Sequence, residues 1–351
     1  MTDSKKNTIS LRDIAKVAKC SHTAVSLALR GDSSIPVETQ HRIQKLARDM
    51  GYKKDPYATA LMSMVRAKRP TGISAEIGWI HAIPRELGVD LPSSVEMRRG
   101  ARERAQELGY RLCELTPLGV EKMSIRRVLQ ILRARRIQGV VLAHAHKIDT
   151  IPYFNSFPWS DFSVATIGDI HPTIPISGVV TDYVTIGLLL YKECVKRGYT
   201  RIGCSIPRII DNYSGGRWNM LLDHMKMNSQ RSTWIKPYQE VDHWDEQAFM
   251  KWIETTKPEV LLSNDPHLYT ILEENGYKIP DDLSFICSNL WDPNSHITGT
   301  LIFPNKQGAA AIDIVDAQIR RGEKGNVSNP KTLSISPGWN EGSTLPYKDI
   351  K

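Results

Sequence analysis

Ser10-Leu11-Arg12-Asp13-Ile14-Ala15-Lys16-Val17-Ala18, followed by Ser21-His22-Thr23-Ala24-Val25-Ser26, decides how the first part of this 351-residue chain folds. Ser10 with Asp13 three residues on fits a capping box, and Leu11, Ile14, Ala15 and Ala18 then recur at helical spacing. Lys19-Cys20 interrupts that run. Ser21 is placed to cap a second segment whose apolar stripe is Ala24, Val25, Ala28 and Leu29, stopped by Gly31. A third segment begins at Pro36, a good first-turn residue, and runs through Ile43, Leu46 and Ala47 to Gly51. Two helices joined by a short turn and buttressed by a third predict a helix-turn-helix. In that motif the start of the second helix enters the DNA major groove. His22, Thr23, Ser26, Leu27 and Arg30 would then face DNA, with Ser21 at the cap, because the apolar stripe is needed for the core. The residues alone also permit a plain three-helix bundle.

Charge supports the first reading. Residues 1–70 hold 14 Lys and Arg against 6 Asp and Glu, and the remaining residues hold 32 of each sign. The net charge of +8 therefore sits entirely in the front of the chain. A small cationic module joined to a neutral body is what a phosphate-binding head on a sensing domain requires.

The same stretches, together with Gly51-Tyr52, closely resemble the LacI/GalR family of bacterial transcription regulators, with matching spacing throughout. The resemblance implies a homodimer that sets two heads on a palindromic operator in double-stranded DNA. It also implies DNA contact by Tyr52 and a hinge helix over the region of Pro56-Tyr57-Ala58-Thr59-Ala60-Leu61. There Leu61 would wedge into the minor groove, an insertion that unstacks and bends the duplex. Two departures bear on the operator. Lys19 stands where the family usually has Gly. Leu27 stands where it commonly has Arg, and Leu can touch a thymine methyl but cannot bind guanine bidentately. Arg30, one turn on, is Asn in many relatives.

The body, roughly 280 residues, is long enough for one large or two medium domains. Short apolar runs alternate with amphipathic segments. Strands are expected at Ile77–Ile80, Gly139–Leu142, Val164–Ile167, Gly178–Val180, Arg201–Cys204, Val260–Leu262 and Ser284–Cys287. Helices are expected at Ala101–Leu108, Ile125–Arg136, Ile186–Val195, Trp218–Met225, Glu246–Trp252 and Leu268–Glu274. That alternation predicts parallel sheets in two α/β lobes, with a ligand cleft at the carboxyl ends of the strands. Gly198-Tyr199-Thr200-Arg201-Ile202-Gly203, Asn264-Asp265, Gly276–Ser284 and Gly308–Ala311 resemble family landmarks in order. The fold expected is thus an all-α helix-turn-helix head with a hinge helix, then a two-lobed α/β core similar to periplasmic binding proteins. The expected boundaries are a head at 1–54, hinge and linker at 55–75, and an effector-binding and dimerisation core at 76–351. Within the core, lobe 1 would take about 76–195 and 305–324 and lobe 2 about 196–304 and 325–345, with crossings near Val195, Pro304 and Gly325.

For the effector, the resemblance points to Arg217, whose guanidinium could grip hydroxyls or a carboxylate, and to Trp244 as a stacking platform. It points also to Asn264 and Asp265 at a strand end, Asp182 near a lobe boundary, and Asn289 where relatives have Asp. Met220-Leu221 replaces the family's Gly-aromatic pair after Arg217. Trp79 and His81, at the end of the first strand, are further candidates for the effector pocket, although Trp79 reads better as core.

Enzyme chemistry is not expected. His144-Ala145-His146 has no third metal ligand at a recognisable spacing, and no phosphate loop or nucleophile elbow is present. No cofactor is called for. Five scattered cysteines, no leader-like start and no long apolar run predict a cytoplasmic protein outside the membrane. The expectation is a DNA-binding regulator, a repressor in particular, controlled by a small molecule such as a sugar. A constitutive DNA-binding protein with a vestigial cleft, or an enzyme on a sugar-binding fold, are the alternatives.

Overall fold

Both serine caps form. The Ser10 hydroxyl accepts the Asp13 N–H at 3.3 Å while the Asp13 carboxylate accepts the Ser10 N–H at 2.9 Å, completing the box. The Ser10 hydroxyl, and then its N–H, hold the Asp13 carboxyl below the ordinary aspartate range. Helix α1 (Leu11–Ala18) follows, then α2 (His22–Ala28) behind the Ser21 cap, then α3 (Val37–Asp49). The turn between α1 and α2 is built on Lys19 in the left-handed region, φ 52°. Ile14, Ala15, Ala18, Val25, Ala28, Ile43 and Ala47 form a core of their own, and their small side chains let the three helices approach closely. Gln44 ties α3 to α2 by donating to the Ala28 carbonyl at 3.0 Å. So few large buried side chains give a head of marginal stability.

A computed structural model of the chain describes residues 9–29, 34–52, 75–82, 91–118, 123–144, 152–168, 175–207, 216–228, 234–239, 244–325 and 327–348. The expected hinge helix at 56–61, with Leu61, lies outside the described residues, as do all but the last residue of the expected hinge and linker at 55–75, Arg30 and His146.

The body contains two sheets. In chain order its elements are β1 (Ala75–His81), α4 (Pro92–Glu107), β2 (Tyr110–Leu115), α5 (Ile125–Ala134), β3 (Gly139–Ala143) and α6 (Pro152–Asn155). Next come β4 (Ser163–Ile167), β5 (Ser177–Thr181), α7 (Tyr183–Lys196), β6 (Ile202–Ser205), α8 (Arg217–Asn228) and α9 (Glu246–Thr256). The last are β7 (Val260–Ser263), α10 (His267–Glu274), β8 (Ser284–Leu290), β9 (Thr298–Leu301), α11 (Pro304–Arg321), β10 (Thr332–Ile335) and β11 (Gly338–Asn340). The first sheet has strand order β10-β5-β4-β3-β1-β2 and is wholly parallel. The second has order β11-β9-β8-β7-β6, parallel except for the β11 edge. Each sheet is packed on both faces, which is why its central strands read as unbroken apolar runs. Val140 and Leu142 enter one core of lobe 1 while Val141 and Ala143 enter the other.

Two expected lobe crossings are displaced. Helix α7 packs through Ile186, Leu190 and Cys194 into the lobe 2 core with Ile202 and Cys204, so the chain changes lobes at Asp182 rather than near Val195. Strand β10 pairs with β5 in lobe 1 and β11 with β9 in lobe 2, which moves the last crossing from Gly325 to residues 336–337. The middle crossing falls at Pro304, where α11 leaves lobe 2 to lie against α4 and the lobe 1 sheet. The α4–α11 contact requires two glycines. A Cβ on Gly308 would meet the Met97 carbonyl oxygen, and one on Gly100 would meet that of Asn305, each at 2.0 Å or less.

Candidate functional site

Two regions carry the candidate chemistry. In the head, the amino end of α2 is its most exposed part: Ser21, His22 and Thr23 are exposed, while Ser26 and Leu27 one turn on are half-buried. Ser21 accepts the Ala24 N–H at 3.1 Å and fixes where α2 begins. The free N–H groups of a helix start attract phosphate, and short polar side chains beside them suit hydrogen bonding to DNA. Tyr52 is half-buried against the head core at the end of α3.

The second region is a cleft of about 660 Å³ between the lobes, on the side where the parallel strands end. Lobe 1 supplies Ser94 and Met97 from α4, His144 after β3, Ile167 and Gly168 at the end of β4, Thr181 at the end of β5, and Gln307 from α11. Lobe 2 supplies Asn264, Asp265 and His267 after β7, and Ser288, Asn289, Trp291 and Asp292 at and beyond the end of β8, with Tyr183 at the crossing. Hydrogen bonds fix both walls. The Ser94 hydroxyl and His144 Nε2 lie 2.7 Å apart, joining the first turn of α4 to the exit of β3. Gln307 donates to the Thr181 hydroxyl at 2.6 Å. Across from them, Asn264 donates to the Ser288 hydroxyl at 3.1 Å, and the Trp291 indole donates to Asn289 at 2.9 Å. One Asp265 oxygen accepts the His267 N–H at 2.9 Å, at the start of α10. Among the described residues that line the cleft there are two aspartates and no Lys or Arg.

Three sequence-predicted residues, Asn264, Asp265 and Asn289, come together on the lobe 2 wall. The others lie elsewhere. Asp182 accepts the Thr185 N–H at 3.1 Å and caps α7 between two lining residues. His81 is buried at the end of β1, its ring 6.4 Å from that of His144, and Trp79 is buried in the lobe 1 core. Arg217 begins α8, and Trp244 stands against Tyr238 and Phe249 on lobe 2; neither is among the residues lining the cleft. Ser94, Thr181, Ser288 and Gln307 are not among the residues that the sequence singles out. Thr181 and Ser288 sit at carboxyl ends of strands, a position that could have marked them. The first turns of α4 and α11 carry no such signal.

Burial pushes Cys204 and Cys287 up to about 12 and Cys194 higher still, so these thiols stay protonated at neutral pH. Among the described residues, no cluster of three or more His, Cys, Asp or Glu could hold a metal, and no helix is long and apolar enough to cross a membrane.

Comparison with known proteins agrees with this architecture. Residues 10–55 match the model of the lacI family of bacterial regulatory proteins. The transcriptional regulator DegA of Bacillus subtilis is 23% identical over 288 residues, covering 79% of this chain and 80% of its own. The regulator GalR of Streptococcus thermophilus is 25% identical over 344 residues, covering 88% and 92%. Among solved structures, a lac repressor dimer bound to operator and the anti-inducer ONPF superposes with a TM-score of 0.59 at 15% identity, covering 97% of this chain and 100% of that one. CcpA of Weissella paramesenteroides with bound glucose gives 0.57 at 14% identity, covering 78% and 98%. Residues 10–55 thus match the lacI family of bacterial regulatory proteins, and the α/β body that follows has the same fold as these solved lac repressor and CcpA structures.

Proposed function

We propose that this protein is a sequence-specific DNA-binding transcription regulator, acting as a repressor, whose operator affinity is set by an uncharged polyhydroxyl ligand such as a sugar. The observation that carries the reading is the pairing of a separately cored head, exposed at the start of α2, with a hydrogen-bonding cleft between two lobes. Ser21, His22, Thr23, Ser26 and Leu27 face the major groove, Arg30 and Tyr52 support them, and Leu61 wedges the operator centre. Two protomers place two heads on a palindrome.

In the cleft, Asn264, Asp265, Ser288 and Asn289 face Ser94, Thr181 and Gln307, a set rich in both donors and acceptors. Trp291 offers an aromatic face to the C–H side of a sugar ring. Two carboxylates, with no described cation opposite them, favour a neutral ligand over a phosphorylated one. Asp182 and His81 act, on this reading, from beside the lining residues Thr181 and His144. Ligand that contacts both walls favours one lobe spacing over others, and that difference in free energy is what reaches the heads.

Selection of randomised duplexes by the purified protein tests this directly. An enriched palindrome with a flexible pyrimidine–purine step at its centre is the expected result. No enrichment, with or without a sugar mixture present, would contradict it.

A further inference from the structure

The body has no net charge, but its cations are unevenly placed. At the amino-terminal end of the lobe 1 sheet, Arg135 and Arg111 share Glu76 at 3.2 and 3.6 Å, and Arg133 pairs with Asp161 at 3.1 Å. The patch continues through backbone contacts. Ser163 donates to the Glu323 carbonyl at 2.6 Å and Gly325 to that of Phe162 at 2.8 Å, placing the turn after α11 beside the start of β4. Lys331 donates its N–H to the Ser177 hydroxyl at 3.0 Å, placing the start of β10 beside that of β5. On this end Arg136, Lys324 and Lys331 are exposed and have no carboxylate within salt-bridge distance among the described residues, although Lys331 lies close enough to help Arg321 hold the Glu323 carboxyl below its usual range.

Cations in the last turn of a helix are accounted for by the helix dipole, and Arg133, Arg320 and Arg321 belong to that class. The other three do not. Arg136 lies beyond the end of α5 in the left-handed region at φ 54°, Lys324 lies beyond Gly322, and Lys331 immediately precedes β10. The chain arrives at this same end, at Ala75, from the segment 53–74 that ties on the head. The opposite end of the sheet opens on the cleft.

We infer that this basic end of lobe 1 is a second, sequence-independent DNA surface, on which Arg136, Lys324 and Lys331 contact phosphates of the duplex held by the head. The inference rests on the regulator reading above. Charge complementarity, and tethering of the head at this end of β1, select DNA over an acidic protein as the occupant.

The test compares the full-length protein with the triple variant R136Q/K324Q/K331Q on the selected operator and on an unrelated duplex across a salt series. Removing one phosphate contact should flatten the slope of log affinity against log salt by about 0.9. Phosphates carry no sequence information, so both duplexes should weaken by the same factor. The double variant R126Q/R127Q, altered in the first turn of α5 at the other end of the lobe, should leave the slope unchanged. An unchanged slope in the triple variant, or an equal loss per charge in the double variant, would overturn the inference. Loss of binding to polyglutamate with DNA binding intact would overturn it in favour of an acidic protein partner. Failure of the unaltered protein to bind any duplex would instead break the regulator reading itself.

Discussion

The head and the cleft are built in opposite ways. The described candidate contacts in the head, from Ser21 to Tyr52, lie within one short run of sequence around a single small core. The cleft is assembled from the ends of β3, β4, β5, β7 and β8 and the first turns of α4, α10 and α11. DNA reading thus rests on local helix chemistry and a small alanine-rich core, whereas ligand reading rests on the relative position of two large cores. Each region should therefore fail without taking the other with it.

Ile43→Ala should produce the largest effect. Ile43 is fully buried in the head, and its truncation costs about 3 kcal/mol, comparable with the stability of so small a unit. Operator binding should vanish while the main calorimetric transition of the body stays in place; a shift of both would show that the cores are coupled. Gly308→Ala reverses the pattern. Its methyl would enter the space of the Met97 carbonyl and force α11 from α4, at a cost of about 2 kcal/mol to the body. The head should keep its non-specific DNA affinity in that variant, and an unaltered body melting temperature would show that α4 and α11 can part without cost. Lys19→Gly is the smallest. It relieves the left-handed conformation at φ 52° and should stabilise the head by about 1 kcal/mol, read as a rise in its melting temperature. No change would mean that the turn carries no strain.

The head is legible because its signals are local. Ser10, Asp13 and Ser21 announce helix starts, and the helical spacing of Ile14, Ala18, Val25 and Ala28 fixes the buried face. The order of α and β elements is equally plain where apolar runs are long, as in Gly139–Leu142 and Val164–Ile167. Strand β2 escapes a reading of the sequence because it is an edge strand with alternating polar residues; β9, β10 and β11 are as short as β6 and β7 but have neither the landmark that marks β6 nor the unbroken apolar run of β7. The long α11 shows in the sequence only as the landmark Gly308–Ala311. Helix α7 has apolar residues that suit either lobe, so its sequence does not say which core takes Leu190; that choice comes from packing against Ile202 and Cys204. Ser94 and Gln307 could not be foreseen, because their place in the cleft follows from how α4 and α11 meet through Gly100 and Gly308. Asn264 and Asn289 could be, since they sit at or next to the carboxyl ends of strands with a clear apolar signature.

Control of a DNA-binding head by a ligand in the cleft is best probed by titrating operator affinity with a panel of neutral sugars, in the unaltered protein and in Asn264→Ala. At least one sugar should change operator affinity by about tenfold or more, an amount typical of coupled sites. Asn264→Ala should lose this response while binding the operator as before. Operator binding indifferent to every sugar, or a response unchanged in Asn264→Ala, would mean that the cleft does not govern the head.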